Sequence, residues 1–476
     1  MDLVIDLAGR GDRAARVYHA LRAAIADGRL PVGHRLPATR ALAADLGVAR
    51  NSVATAYERL AAEGYLTARV GAGTFVARGA EAPGRRHPVA DPLRPRWSRP
   101  PLPVSGTGAA PAYDFRTGIP DANLFPFDTW RRFVAAELRL RANSPGTYAE
   151  PAGHPALRAA VARYLGVSRS IRATAGELVI TNGMQHGLDL IARVLLRPGD
   201  VAAVEEPGYP PARRLLEAAG ARVIGVPVDD EGLVVDALPG AARLVFTTPS
   251  HQFPLGRPMS LDRRTALLDW AARRQAAVVE DDYDSEFRFS ARPLEPLYSL
   301  DTAGRVLYVG TFSKSMLPTV RTGFVLAPAP LREPLAAARQ LSDWYGQTPV
   351  QAALARFIDE GRLARHVRTA GKAYAERHAR LLAGLSQIPR LAPVPSAAGL
   401  HVTAMLADGD STRLTAELAR LGVGVDDLAQ FGQPSTAQTG FAFGFGAITA
   451  DRIESGLAVV ARVLSRPAPE ARRRTA

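Results

Sequence analysis

Between residues 113 and 470, short apolar runs alternate with longer amphipathic stretches, and no other feature restricts the fold so tightly. "ELVIT", "VAAVEE", "ARLVFTTP", "AAVVEDDY" and "RVLYVGTFS" read as strands. "HGLDLIARVLL", "PARRLLEAAG" and "LDRRTALLDWAARR" read as helices. Strand–helix alternation over this length predicts an α/β domain around a mostly parallel sheet. In such sheets chemistry gathers beyond the carboxyl ends of the strands.

The alternation stops upstream. Residues 79–112 carry prolines at 83, 88, 92, 95, 100, 101, 103 and 111. This composition predicts an extended, semi-stiff linker rather than a core element. Residues 10–78 form a separate unit. In "RVYHALRAAIADGRL", Val17, Leu21 and Ile25 share a helical face, and Gly28 is a stop signal. Thr39 is the expected cap of a second helix with Leu42, Ala43 and Leu46 inward, closed by Gly47. A third helix turns Val53, Tyr57 and Leu60 inward and ends at Gly64. Two short helices joined by a Gly-containing turn are a helix-turn-helix signature. The following "YLTARVGAGTFVA" reads as a small hairpin.

Charge and composition narrow the function. Residues 1–112 hold sixteen arginines against nine carboxylates, a surplus of seven within a chain of net charge +13. A basic N-terminal unit suggests an anionic partner, most simply double-stranded DNA. Codon bias towards arginine is the competing explanation. With no cysteine, the chain has neither disulfides nor thiolate metal sites, which fits a cytoplasmic location. No apolar run is long enough to suggest a membrane span.

In a helix-turn-helix, the start of the second helix meets base edges. The residues there are Arg50, Asn51, Ser52 and Thr55. Arginine suits guanine and asparagine suits adenine. Arg35 and Arg40 are candidate phosphate contacts, and Gly71 and Gly73 allow a wing tip to approach the backbone. From about Val17 to Ala77 this stretch resembles the winged helix-turn-helix of the GntR family of bacterial regulators. The resemblance implies operator recognition by these residues.

Of 59 basic residues other than histidine, only Lys314 and Lys372 are lysines. A lysine can do one thing that arginine cannot: lose a proton and form a Schiff base with an aldehyde. Lys314 lies in "GTFSKSMLPTVRTGF" among small hydroxyl residues, seven residues before Arg321. That setting suits an aldehyde that also carries a phosphate, as pyridoxal 5'-phosphate (PLP) does, although a surface lysine on a loop satisfies the same pattern. "EDDYDSEF" offers an Asp and a Tyr from one strand end, suited to a pyridinium nitrogen and a phenolic oxygen. A solvated acidic loop or a hard-metal site is the other reading; with no phosphate-loop lysine or paired His accompanying the cluster, metal is disfavoured. In "ELVITNGMQHGLDLIARVLL", Gly183, Met184 and Gln185 open a helix, a natural phosphate cradle. Tyr209, on the turn of "EEPGYPPARR", is either a cover for a flat ring or ordinary core.

With "TPSHQFPLG", "TYAEPAGHPALR" and "SAAGLHV", these segments resemble the MocR/PdxR subgroup of GntR regulators. The resemblance covers nearly the whole chain. It implies a multidomain protein: a winged helix-turn-helix, then an α/β PLP-dependent transferase of fold type I with a smaller C-terminal α+β subdomain. It also implies roles. Lys314 would form the Schiff base, Asp281 pair with the pyridine nitrogen, Tyr283 with the phenolic oxygen, and Tyr209 stack on the ring. Gly183, Met184, Gln185, Ser313 and Arg321 would hold the phosphate. Tyr148 resembles the tyrosine that such proteins donate to a neighbouring subunit's phosphate, implying a homodimer with exchanged DNA-binding domains.

Two positions depart from the aminotransferase pattern. Phe253 stands where an asparagine is usual, and Ala442 where an arginine usually binds a substrate carboxylate. The expected function is therefore a transcription regulator that senses PLP or an amino compound. A working aminotransferase with an accessory DNA-binding domain is the alternative, and a DNA-binding protein with a mere dimerisation scaffold is a third reading.

Overall fold

The computed structural model describes residues 12–77, 100, 102, 110–139, 146–289, 295–396 and 398–466. The chain divides into two compact units, Met1–Ser98 and Arg99–Ala476. The proline-rich linker lies almost entirely outside the described residues.

In the first unit, helix α1 (Arg13–Ala26) precedes strand β1 (Arg35–Leu36) and helices α2 (Thr39–Leu46) and α3 (Arg50–Ala62). Strands β2 (Leu66–Arg69) and β3 (Gly73–Val76) form the wing, and β1 pairs antiparallel with β3. Val17, Leu21 and Ile25 of α1 are buried against Val53, Tyr57 and Leu60 of α3 in one core. Gly47 adopts φ 65°, so α2 ends in the left-handed turn that lets α3 start at a new angle. Thr39 is not the cap: Ala38 occupies that position without a side-chain bond. The chain already enters extended at Ala38, and Tyr57 fixes the entry by donating its hydroxyl to Pro37 O at 2.9 Å.

The second unit holds two sheets. Strand β4 (Tyr113–Phe115) comes first, followed by helices α4 (Phe127–Arg139) and α5 (Pro155–Arg169). Strands β5 (Leu178–Thr181), β6 (Val201–Glu206), β7 (Arg222–Asp229) and β8 (Gly232–Leu233) follow, with helices α6 (Met184–Leu195) and α7 (Pro210–Ala218) among them. Next are β9 (Ala242–Thr247), α8 (Leu261–Arg274), β10 (Ala277–Asp282), α9 (Leu297–Leu300), β11 (Val306–Thr311) and β12 (Gly323–Leu326). Strands β5 to β12 form one sheet in the order β5-β12-β11-β10-β9-β6-β7-β8. Its centre, β7 through β11, is parallel, while β12, β5 and β8 run antiparallel to their neighbours. Apolar cores cover both faces, which is why β6 and β11 read as nearly unbroken buried runs.

Helices α10 (Ala329–Asp343), α11 (Thr348–Asp359) and α12 (Arg362–Leu385) lead to the smaller subdomain. It contains β13 (Leu391–Pro393), β14 (His401–Leu406), α13 (Ser411–Arg420), β15 (Val423–Asp427), β16 (Gly440–Gly444) and α14 (Ala450–Leu464). Its sheet, ordered β13-β14-β16-β15-β4, is completed by a strand from the start of the unit. Phe115 of β4 is fully buried in that core. Among the described residues, no helix is long and apolar enough to cross a membrane.

Leu60 is fully buried between α1 and α3. Leu60→Ala should cost the first unit about 2–5 kcal/mol through lost burial and a residual cavity. Amide hydrogen exchange in the full chain checks this: protection should fall across α3 and stay unchanged along β10 and β11.

Candidate functional site

The carboxyl ends of the parallel strands bring the candidate residues together. At the end of β10, Glu280, Asp281 and Asp282 are consecutive and all buried. Strand alternation sorts them, because successive side chains face opposite sides of the sheet. Val279, and hence Asp281, shares the face covered by α6 and α7. Glu280 and Asp282 point the other way. Glu280 accepts the N–H groups of Leu297 (3.0 Å) and Tyr298 (2.9 Å), satisfying the start of α9. Asp282 pairs with Arg169 at 2.6 Å and accepts the Tyr308 hydroxyl.

Asp281 is left differently. Its side chain is 3% exposed, and Oδ1 has no donor among the described residues. Burial, then the charges of Asp282 and Asp284, push its pKa well above the ordinary carboxylate value. The nearby charge that opposes this rise is the ammonium of Lys314.

Lys314 follows β11 and donates from Nζ to Gly118 O at 2.7 Å. Removal from water lowers its pKa, Arg321 lowers it further, and Asp284 and Asp281 partly restore it. A lowered pKa raises the fraction of free amine, the form that attacks an aldehyde. Tyr209 caps the start of α7, and burial with the Asp281 charge raises its pKa to about 12. Its ring stands edge-on to Phe253, with centroids 5.7 Å apart. Phe253 also meets Tyr283 and Phe431 edge-on, so the residue in the asparagine's place is a packing element.

Gly183 caps the start of α6 with φ 89°, a conformation that favours glycine. A Cβ there would lie 3.2 Å from the Arg321 guanidinium. Arg321 donates to Asn182 O at 2.6 Å and so stands over the first turn of α6, where the N–H groups of Met184 and Gln185 have no intrahelical acceptor. Ser313 is turned to Thr311: its N–H reaches Thr311 Oγ1 at 3.2 Å, and the two hydroxyls are 3.0 Å apart. Tyr283 lies 3.0 Å from both the carbonyl oxygen and Nδ1 of His251. Tyr148 is not brought to this cluster within the chain. Its ring is 74% exposed and stacks on Trp344 at 4.3 Å.

Sequence reasoning missed the residues behind Tyr283. His251 Nδ1 lies 3.2 Å from Asp284, and the His251 and His401 rings are 4.7 Å apart. Ligand atoms of His251, Asp284 and His401 come within 4.8 Å of one another. The expectation that no paired histidines accompany the acidic cluster therefore fails: the two are distant in sequence and the fold joins them. Each is already engaged within the protein, His401 Nε2 with Pro254 O at 2.8 Å and His251 with Asp284. The only signals were single letters inside "TPSHQFPLG", "EDDYDSEF" and "SAAGLHV".

The first unit presents a second surface. The buried face of α3 is Val53, Ala56, Tyr57 and Leu60, leaving Arg50, Asn51 and Thr55 exposed and Ser52 half-buried. Arg40 is exposed on α2. Arg35 lies across the wing, where a Cβ on Gly73 would meet its Nε at 2.9 Å. Gly71 adopts φ 75° at the open tip.

A winged helix-turn-helix unit and a fold type I aminotransferase domain thus share one chain. Comparison with known proteins places it further. Residues 13–76 match the bacterial regulatory proteins of the gntR family, and residues 121–441 match aminotransferase class I and II. The chain is 40% identical over 381 residues to the probable rhizopine catabolism regulatory protein MocR of Rhizobium meliloti, covering 79% of this chain and 77% of that one. It is 33% identical over 445 residues to the pyridoxine biosynthesis transcriptional regulator PdxR of Corynebacterium glutamicum, covering 94% of each. The crystal structure of Pyrococcus horikoshii kynurenine aminotransferase superposes with a TM-score of 0.68 at 28% identity, over 74% of this chain and 90% of that one. The chain belongs to the MocR/PdxR type of GntR-family transcriptional regulators. Its aminotransferase class I and II fold implies dependence on PLP.

The lone Asp281 carboxylate gives a pH prediction. Its folded pKa lies above its unfolded value, so the folded state binds the extra proton between the two. Without ligand, its stabilising contribution is full below the unfolded value and is lost as pH rises towards the folded one. Asp281→Asn should flatten that slope. Urea unfolding midpoints measured from mildly acidic to neutral pH check it.

Proposed function

We propose that this regulator binds PLP covalently through Lys314 and couples the state of that pocket to operator binding. The observation that carries the reading is that Lys314 and the buried, donorless Asp281 Oδ1 lie close enough for each charge to shift the other's pKa. A pyridinium N–H would satisfy that oxygen and keep Asp281 charged. The other residues fit the same group. The start of α6 and the Arg321 guanidinium suit a phosphate, and Tyr209 stands at the edge of the same pocket. Bound PLP supplies an aldehyde that condenses reversibly with primary amines. The chain's own part is to lower the Lys314 pKa by burial, to anchor the ring nitrogen, and to cover the ring with Tyr209. Tyr283, whose hydroxyl is now shared with His251, would offer the phenolic oxygen a hydrogen bond.

The exposed side of α3 supports DNA recognition by Arg50, Asn51, Ser52 and Thr55, with Arg35, Arg40 and the wing glycines at phosphates. The exposed Tyr148 supports a homodimer in which that ring serves a neighbouring subunit. Ligand state then acts by favouring one of two arrangements of the dimer. A working aminotransferase remains the second reading because Lys314 and Asp281 are retained. Against it stands Ala442, fully buried between Thr403 and Asp426 on neighbouring strands, where the carboxylate-binding arginine is expected.

Two measurements test this. Incubated with PLP and desalted, the protein should retain a visible absorbance band, and Lys314→Ala should lose it; retention by the variant overturns the covalent reading. On operator DNA, Arg50→Ala and Asn51→Ala should each lose about 1–3 kcal/mol of base discrimination. Arg40→Ala should instead weaken all sequences alike and reduce the salt slope by about one unit. Operator affinity that stays equal in the apo state, with PLP, and with PLP plus a panel of amines would sink the sensor reading.

A further inference from the structure

The pocket wall beyond Lys314 can be followed by direct contacts. Gly118 accepts the Lys314 amine at 2.7 Å. The preceding residue, Thr117, donates its N–H (2.7 Å) and its hydroxyl (2.8 Å) to Asp426 Oδ2. Asp426 is the register partner of Ala442, which is in turn the partner of Thr403. The Thr403 hydroxyl closes onto Pro254 O at 2.6 Å, next to Phe253. Ala442 is therefore flanked by a neutral threonine on one side and a carboxylate on the other.

The acidic group at this wall is Asp426; burial raises its pKa, while hydrogen bonds from Thr117 and Gln430 and the Arg116 charge oppose the rise. Arg116 acts on Asp426 but is held by both oxygens of Asp114, each at 2.7 Å. One guanidinium thus serves two carboxylates. The hydrogen bonds Asp426 receives from Thr117 and Gln430 come from neutral groups. Asp426 is also half-buried rather than sealed. A ligand carboxylate beside Ala442 would meet the Asp426 carboxylate, and among the described residues the guanidinium that acts on Asp426, Arg116, is already committed to Asp114. A ligand ammonium would gain a charge-assisted hydrogen bond.

We infer that the pocket takes an amine whose far end is a second cation, a diamine or an aminoalkyl guanidine, and that Asp426 selects it. This rests on the PLP reading above. Because Thr117 and Gly118 are adjacent, two hydrogen bonds of 2.7 Å and an extended span of about 7 Å put the Lys314 amine and the Asp426 carboxylate at most about 12 Å apart. A four-carbon diamine, extended over about 6 Å and with one hydrogen bond of about 2.8 Å to the carboxylate, reaches about 9 Å and so lies within that bound.

The test uses full-length, PLP-loaded protein and three probes of equal chain length: 1,4-diaminobutane, 1-aminobutane and 4-aminobutanoate. Each is titrated against the visible absorbance band. Diaminobutane should half-saturate at a concentration about tenfold below 4-aminobutanoate, with aminobutane between them. Asp426→Asn should shrink the spread to about threefold or less, while the band and the far-ultraviolet circular dichroism stay as in wild type. The wild-type order alone decides the matter if the variant fails to fold: equal or tighter response to 4-aminobutanoate overturns the inference, as does no response to any probe. In both cases the band remains and the PLP reading stands. Absence of the band after PLP loading instead overturns that reading, and this inference with it.

Discussion

Three consecutive carboxylates buried at one strand end are the constraint around which the larger unit is built. Burying a charge is costly unless it is paired or hydrogen-bonded. Glu280 meets two backbone N–H groups, and Asp282 meets Arg169 and Tyr308. Asp282 keeps Oδ1 without a donor, but among these three only Asp281 has no hydrogen bond or ion pair to any described residue. The alternation of a strand makes this division unavoidable, since neighbours cannot share a face. The Asp281 carboxylate falls on the side of α6 and α7, where Lys314, Gly183 and Tyr209 also arrive.

The sheet's parallel centre explains why they arrive together. Strands buried on both faces leave no room for polar chemistry along their length. Polar residues collect where the strands end: Asp281 after β10, Lys314 after β11, Gly183 after β5 and Tyr209 after β6. Arg321 precedes the antiparallel β12 and so reaches the same edge from the opposite direction. The smaller subdomain then covers the edge with a different kind of surface. Its inner strands offer Thr403, Ala442 and Asp426 where an aminotransferase is expected to offer a guanidinium, a change in the chemistry presented to a ligand's far end.

Much of this was legible in the chain. The helical period of residues 17–60 located the core of the first unit and, by exclusion, its exposed recognition face. Gly47 announced the turn, and the scarcity of lysine singled out Lys314. Other features were not legible. Thr39 looked like a cap, but Tyr57 and Pro37 had already set the entry of α2. His251 and His401 carried no signal as a pair, because 150 residues separate them and only the docking of β14 against the loop after β9 makes them neighbours.

The sequence by itself determined the elements, their order and the residue types that make a lysine–aldehyde pocket possible. Those properties follow from local periodicity and from what each side chain can do chemically. Tertiary structure alone decided which carboxylate stays unpaired, that β4 completes the C-terminal sheet, and that Asp426 stands beside Ala442. Thr117 and Asp426 are 309 residues apart, and their contact exists because β4 and β15 lie side by side in the same sheet. Such a pairing is fixed by the burial of Phe115 and the strands around it, a property of the whole packed subdomain that no short stretch of sequence contains.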